Sequence, residues 1–275
     1  LTRLESAFRR ARREGRSALL VYLMAGDPSL AASEELALAC VRGGADILEL
    51  GVPFSDPIAD GPEIQMAGQR ALRSGTRPRD VLELAARLRA RTEVPLVLMS
   101  YLNPILALGL HEFVARARAA GLDGLIIPDL PLEESDEVRA LLDAKGIDHV
   151  QLVSPATPPE RAAAIGKASR GFLYVVSRYG TTGTRSDLPQ EVRYRLEELR
   201  RLTALPLAIG FGVSTKEHIE ALASMGADGV VVGSAVVRLI AQRPEAKTIE
   251  GFVADLAAGL HGRPVTSPAP QGSNP

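Results

Sequence analysis

A chain of 275 residues that is 46% hydrophobic has enough apolar material for one large core. Its formal net charge of −1 lacks the basic surplus of a broad nucleic-acid footprint. A single cysteine, Cys40, excludes an internal disulfide and any cysteine-built metal cluster and fits a reducing cytoplasm, where the chain is expected to reside. The longest apolar runs, such as Ala18 to Ala25, fall far short of the ~20 residues that span a bilayer.

The elements follow from hydrophobic periodicity and its punctuation. Leu1, Leu4, Phe8 and Ala11 share one face of a short amphipathic helix, expected to dock on the domain; a membrane-surface helix is the alternative. Glu5 and Glu14 argue against an Arg-rich transit peptide. Ala18 to Met24 reads as a strand, Ser29 to Arg42 as a helix stopped by Gly43-Gly44, and Ile47 to Gly51 as the second strand. Two helical pieces, Glu63 to Arg73 and Pro78 to Arg91, precede a third strand from Val94 to Tyr101. His111 to Ala120, Leu132 to Lys145 and Pro158 to Ser169 read as helices, alternating with strands at Gly124 to Pro128, His149 to Val153 and Gly171 to Ser177. A polar loop, Arg178 to Leu188, leads to a helix from Pro189 to Leu202 and a strand from Pro206 to Ile209. A helix from Ser214 to Met225, an eighth strand from Gly229 to Val232 and helical segments from Ala235 to Ala258 complete the series.

Strands apolar on both faces belong to parallel sheets covered by helices. Eight strand–helix units in one chain of this length predict an α/β fold, a single (β/α)8 TIM barrel with an extra N-terminal helix. A doubly wound open sheet is the competing topology. Residues 1–262 are expected to form one catalytic domain, and 263–275, rich in Pro, Ser and Gly, a disordered tail.

Barrel enzymes work at the C-terminal ends of their strands. The stretch LELGVPFSDPIADGP, Leu48 to Pro62, ends the second strand with Glu49 in an apolar run and continues into a loop bearing Asp56 and Asp60. A carboxylate in such a run is costly unless it has a partner or a task. Glu49 and Asp60 are therefore the acid–base candidates, against a buried Glu satisfied by backbone N–H groups beside a surface turn. Asp129 and Tyr101 are expected to orient or line the site, and Asp27 and Asp56 to stabilise their Pro-containing turns. Gly210, Gly212, Gly233 and Ser234 fall at the ends of strands seven and eight, with Gly183 in the loop after strand six. Backbone N–H groups there, with a helix starting near Ser234, make an anion cradle. Tight turns and a plain N-cap at Ser234 are the bland readings.

The four lysines, Lys145, Lys167, Lys216 and Lys247, fall in or near helices, away from the strand ends where a Schiff-base enzyme would need one. His111, His149, His218 and His261 are likewise absent from those ends, and no GxGxxG turn follows an early strand. The available chemistry is then carboxylates, hydroxyls and backbone donors.

The long stretch with the following Ile64-Gln65 closely resembles the signature of the tryptophan synthase alpha chain. AGDP at Ala25 to Pro28, IIPDLP at Ile126 to Pro131, GTTGTR at Gly180 to Arg185, GFG at Gly210 to Gly212 and GSA at Gly233 to Ala235 extend the resemblance from Phe8 to about Ala258. It implies a lyase that splits indole-3-glycerol phosphate into indole and glyceraldehyde 3-phosphate. It also implies an alpha2beta2 tetramer whose beta chain, not this one, carries pyridoxal phosphate and receives the indole through a tunnel. The alpha chain itself is expected to need no cofactor or metal. By the same resemblance, Glu49 serves the ring carbon and the side-chain hydroxyl, and Asp60 accepts from the indole N–H. Gly183, Gly212, Gly233 and Ser234 hold the phosphate, with Phe211 and Tyr174 nearby, and Thr182 approaches Asp60 on loop closure. Asp56 and the Asn103-Pro104 loop are expected near the beta chain. Thr181, Arg178-Tyr179 and Glu63 depart from the family pattern. Another phosphate-binding barrel, such as a sugar-phosphate isomerase or epimerase, and a non-catalytic activator of the beta chain are the competing functions.

Overall fold

The computed structural model of the chain describes residues 1–176, 188–210 and 212–260. Eight parallel strands, β1 (Ala18–Met24), β2 (Ile47–Gly51), β3 (Leu96–Met99), β4 (Gly124–Ile126), β5 (Asp148–Val153), β6 (Leu173–Val176), β7 (Leu207–Gly210) and β8 (Gly229–Val232), close into a barrel in sequence order. β8 pairs back onto β1 with Leu19 beside Val230, which removes both sheet edges. The closed barrel, not the open sheet, is the topology.

Alternation along each strand divides the core. Leu20, Ile47, Val97, Ile126, Val150, Ala208 and Val231 face the barrel interior. Leu19, Val21, Leu48, Leu50, Leu96 and Leu98 face outward under the helices. The first helix, α1 (Arg3–Arg13), closes the bottom of the interior: Leu4, Ala7, Phe8 and Ala11 are buried in the inner cluster, and the Phe8 ring lies 5.5 Å from that of Phe172. Thr2 caps this helix through a reciprocal box with Glu5. Leu1, expected on the docking face, lies ahead of the cap and is exposed.

The covering helices are α2 (Leu30–Arg42), α3 (Pro62–Arg73), α4 (Pro78–Arg89), α5 (Leu102–Leu108), α6 (Leu110–Ala119), α7 (Asp136–Lys145), α8 (Pro159–Ala168), α9 (Leu188–Leu202), α10 (Lys216–Ser224), α11 (Ser234–Gln242) and α12 (Ala246–Ala257). Three details correct the sequence reading. Asn103-Pro104 is not a loop but the start of α5, where proline is tolerated because first-turn N–H groups have no helical partner. The helix expected from Leu132 begins as a 3-10 turn, Leu132–Glu134, and restarts at Asp136 once Ser135 has intervened. The third strand is also shorter than expected.

Three aspartates clamp the bottom of the barrel. Asp46, Asp123 and Asp228 precede β2, β4 and β8 and accept the N–H groups of Leu19, Leu96 and Leu207, each at 2.9 Å. Each carboxylate also meets an arginine: Arg16, Arg89 and Arg200 respectively. These links join β2 to β1, β4 to β3 and β8 to β7 and hold the frame on which the opposite, C-terminal mouth is built.

Candidate active site

Glu49 and Tyr22 are register partners on β2 and β1. Glu49 shares the inward parity of Ile47. It is 1% exposed, and neither carboxylate oxygen has a hydrogen-bond partner among the described residues. Burial pushes its carboxyl up to about 8, and the nearby Asp60 charge adds to the rise. The alternative of a buried Glu satisfied by backbone donors is therefore not what the fold contains.

Asp60 stands on the loop between β2 and α3. Gly61 is the N-cap of α3, and Pro62 takes the first helical position. The loop is held locally: Ile58 N–H donates to Asp56 at 2.9 Å, Asp60 N–H to Pro57 at 3.2 Å, and the Gln65 amide to the Asp60 carbonyl at 2.9 Å. Tyr101 pins it from β3's end, its hydroxyl accepting Ala59 N–H at 2.9 Å and donating to the Asp60 carboxylate. Burial pushes Asp60 up to about 6, and the Tyr101 hydrogen bond restrains that rise. The two carboxyls are thus raised to different heights.

A cavity of about 220 Å³ opens between these groups. Glu49, Tyr22, Asp60 and Gly61 line it together with Gly212, Gly233 and Ser234. Met99, Leu152, Tyr174, Val176, Ile64 and Val231 supply the apolar lining. Gly212 has φ +70°, a conformation side-chain-bearing residues rarely adopt. Gly233 is the N-cap of α11 and Ser234 its first helical residue, so the plain N-cap reading of Ser234 does not hold. The N-terminus of α11, with its partial positive charge, therefore borders the cavity that the carboxylates also line.

Of the residues singled out in the sequence, Glu49, Asp60, Gly212, Gly233, Ser234 and Tyr174 meet at this cavity. Tyr101 positions the Asp60 loop from behind it. Asp129 accepts Leu102 N–H at 2.9 Å and so anchors the start of α5. Gly183, Thr182 and Phe211 lie outside the described residues, as do Thr181, Arg178-Tyr179 and the tail 263–275. Asp27 grips Arg70 of α3 through two hydrogen bonds of 2.8 and 2.7 Å, the loop-stabilising role expected of it. All four lysines are on helices. His149 is buried on the outer face of β5 beside Gln151, and burial pushes it down to about 4. Among the described residues no cluster of His, Cys, Asp and Glu could hold a metal ion, and no helix is long and apolar enough to cross a membrane.

Sequence reading passed over Tyr22. The signal was a single aromatic in ALLVYLM, at the parity that faces the barrel.

Comparison with known proteins places this geometry. The family model for the tryptophan synthase alpha chain matches residues 8–259. The tryptophan synthase alpha chain of Solibacter usitatus is 46% identical over 267 residues, covering 96% of this chain and all of its own length. That of Prochlorococcus marinus is 46% identical over 237 residues, 86% of this chain and 89% of its own. Among solved structures, a chain from Aquifex aeolicus superposes with a TM-score of 0.87 at 39% identity, covering 95% of this chain and 100% of its own. A chain of the tryptophan synthase α2β2 complex from Pyrococcus furiosus gives 0.83 at 40% identity, covering 89% and 99%. A family match across the barrel, with relatives aligned along nearly their whole length, leads to one assignment: the chain belongs to the tryptophan synthase alpha chain family.

Proposed function

We propose that this chain cleaves indole-3-glycerol phosphate into indole and glyceraldehyde 3-phosphate and passes the indole to a tryptophan synthase beta chain. The observation that carries the reading is two unequal carboxyls sharing one small cavity with Gly212, Gly233 and the N-terminus of α11. The phosphate sits against Gly212, Gly233 and Ser234, with Gly183 completing the cradle. Tyr174 and Phe211 flank the glycerol chain and ring, and Thr182 meets Asp60 when its loop closes.

The chemistry follows from the two pKa values. Near neutrality Glu49 is largely protonated and Asp60 largely ionised. Glu49 gives its proton to the indole carbon that bears the side chain, and the ring becomes an electron sink. Asp60 accepts the ring N–H and balances the positive charge that develops there. The Glu49 carboxylate then takes the proton of the adjacent side-chain hydroxyl as the carbon–carbon bond breaks toward the ring. Indole and an aldehyde leave, and Glu49 is protonated again, so no external acid or base is consumed.

The partner reading is supported by exposed apolar residues around the mouth. Ile58, Met66 and Leu106 are 84%, 51% and 52% exposed, on the Asp60 loop, α3 and α5. Such side chains favour a protein partner over water. The beta chain is expected to supply the pyridoxal phosphate of the assembled tetramer.

The test is indole release from indole-3-glycerol phosphate by the purified chain, with and without a beta chain. Release, falling at least ~10²-fold in Glu49→Gln and in Asp60→Asn with folding retained, is the expected result. No indole under either condition sinks the lyase and leaves a different phosphate substrate or a non-catalytic activator.

A further inference from the structure

Tyr22 crosses the mouth of the barrel between the two halves of the site. Its Cβ end lies beside Gly233, where a Cβ would stand 3.4 Å from it, and its hydroxyl stands over Gly51. A Cβ on Gly51 would fall 2.0 Å from that hydroxyl, so only glycine admits it. Gly51 is two residues beyond Glu49 on the same face of β2. The hydroxyl therefore sits on the mouth side of Glu49, in the cavity both residues line.

Its recorded hydrogen bond is a donation to Met24 Sδ at 3.9 Å. A thioether is a weak acceptor. Lining the same cavity, on the register partner of Tyr22, are two carboxylate oxygens with no partner among the described residues. A buried donor on a poor acceptor beside an unsatisfied acid has a better arrangement available whenever that acid ionises.

We infer that the Tyr22 hydroxyl is the positioning donor for Glu49, resting on Met24 Sδ while Glu49 is protonated and turning to the carboxylate when it gives its proton away. This rests on the reading of Glu49 as the acid–base group. The titratable groups that face Tyr22 are Asp60 from the loop, Glu49 from β2, Tyr101 from the end of β3 and Tyr174 from β6. Burial and these neighbours hold the phenol well above its ordinary value of 10.0, so it stays protonated and remains a donor throughout. Tyr22 passes no proton; it stabilises the ionised form that Glu49 must reach mid-reaction.

A donor to the charged form lowers a carboxyl's pKa. Tyr22→Phe should therefore raise the titration of Glu49. Met24→Leu, which removes the competing acceptor at nearly constant volume, should lower it. Opposite shifts from two neighbouring substitutions are not what simple loosening of the pocket produces.

The experiment is a carbon-13 NMR titration of protein labelled at the glutamate carboxyls, with Glu49→Gln identifying the signal. The expected result is a shift of roughly one unit upward in Tyr22→Phe and a smaller downward shift in Met24→Leu. An unmoved or lowered titration in Tyr22→Phe, or shifts of the same sign in both variants, overturns the inference. Turnover supplies a second readout: Tyr22→Phe should lose about tenfold in kcat with KM within about twofold. Absence of indole release by the wild-type chain strikes the lyase reading alone, because the titration decides the role of Tyr22 without substrate.

Discussion

At the scale of the residue, Glu49 is a buried, unsatisfied carboxyl that costs stability, and the proposed reaction gives it a task. Its ordinary carboxyl value of 4.5 rises to about 8 in the fold. Below the lower value both folded and unfolded chains bind the proton. As pH rises the unfolded chain releases it first, so stability falls through this window and levels off above about 8. Glu49→Gln should remove that slope. The variant is expected to be nearly inactive yet to melt above wild type at alkaline pH, with the gap closing toward acid pH in calorimetry. A variant that melts lower at alkaline pH would mean Glu49 is satisfied in the fold. Glu49 was legible in sequence because a carboxylate inside ILELG has no ordinary reason to be there. Tyr22 was not, because a tyrosine suits a strand core. Only barrel closure puts its hydroxyl over Gly51 and its base beside Gly233.

At the scale of the element, the frame depends on side chains that tie one strand to the next. Asp46 accepts from Leu19 N–H and from Arg16 and Arg10. Burial alone would push its carboxyl up, but these donors outweigh it and hold it below the usual value. Asp46→Ala leaves the Leu19 N–H without its acceptor and costs the largely buried Arg16 two of its hydrogen bonds. A loss of roughly 3 kcal/mol is expected, read as a lower urea midpoint with an unchanged slope. A loss below about 0.5 kcal/mol would show that the clamp is incidental. The alternation of strand and helix could be seen in the sequence because each covered parallel strand is a short apolar run. The start of α5 could not. LNPILAL carries a proline at its third position, and its start is anchored by Asp129, 27 residues later, receiving Leu102 N–H. Such a contact exists only after β4 has paired with β3. The Asp60 loop was visible as a turn, but its support by Tyr101 again needed the neighbouring strand.

At the scale of the whole molecule, one end of the barrel is sealed and the other left open. α1 fills the bottom with Leu4, Phe8 and Ala11, which leaves the proposed substrate the mouth that carries the two carboxyls and the exposed apolar residues. The docking account makes a separable prediction. Leu106→Glu, on the outer side of α5, should weaken beta-chain binding by at least about tenfold while indole release by the isolated alpha chain stays within about twofold. Calorimetric titration with the beta chain and the indole assay read the two effects, and an unchanged affinity would move the interface elsewhere. The central claim is that two carboxyls, raised unequally by burial, divide the reaction between them. It is tested most directly by the pH dependence of kcat/KM for indole release. Activity requires Asp60 ionised and Glu49 protonated. The account therefore predicts a bell with an acid limb near about 6 and an alkaline limb near about 8, as properties of the coupled pair. A profile that keeps rising through the alkaline limb, or one flat from about pH 5 to about pH 9, would contradict it.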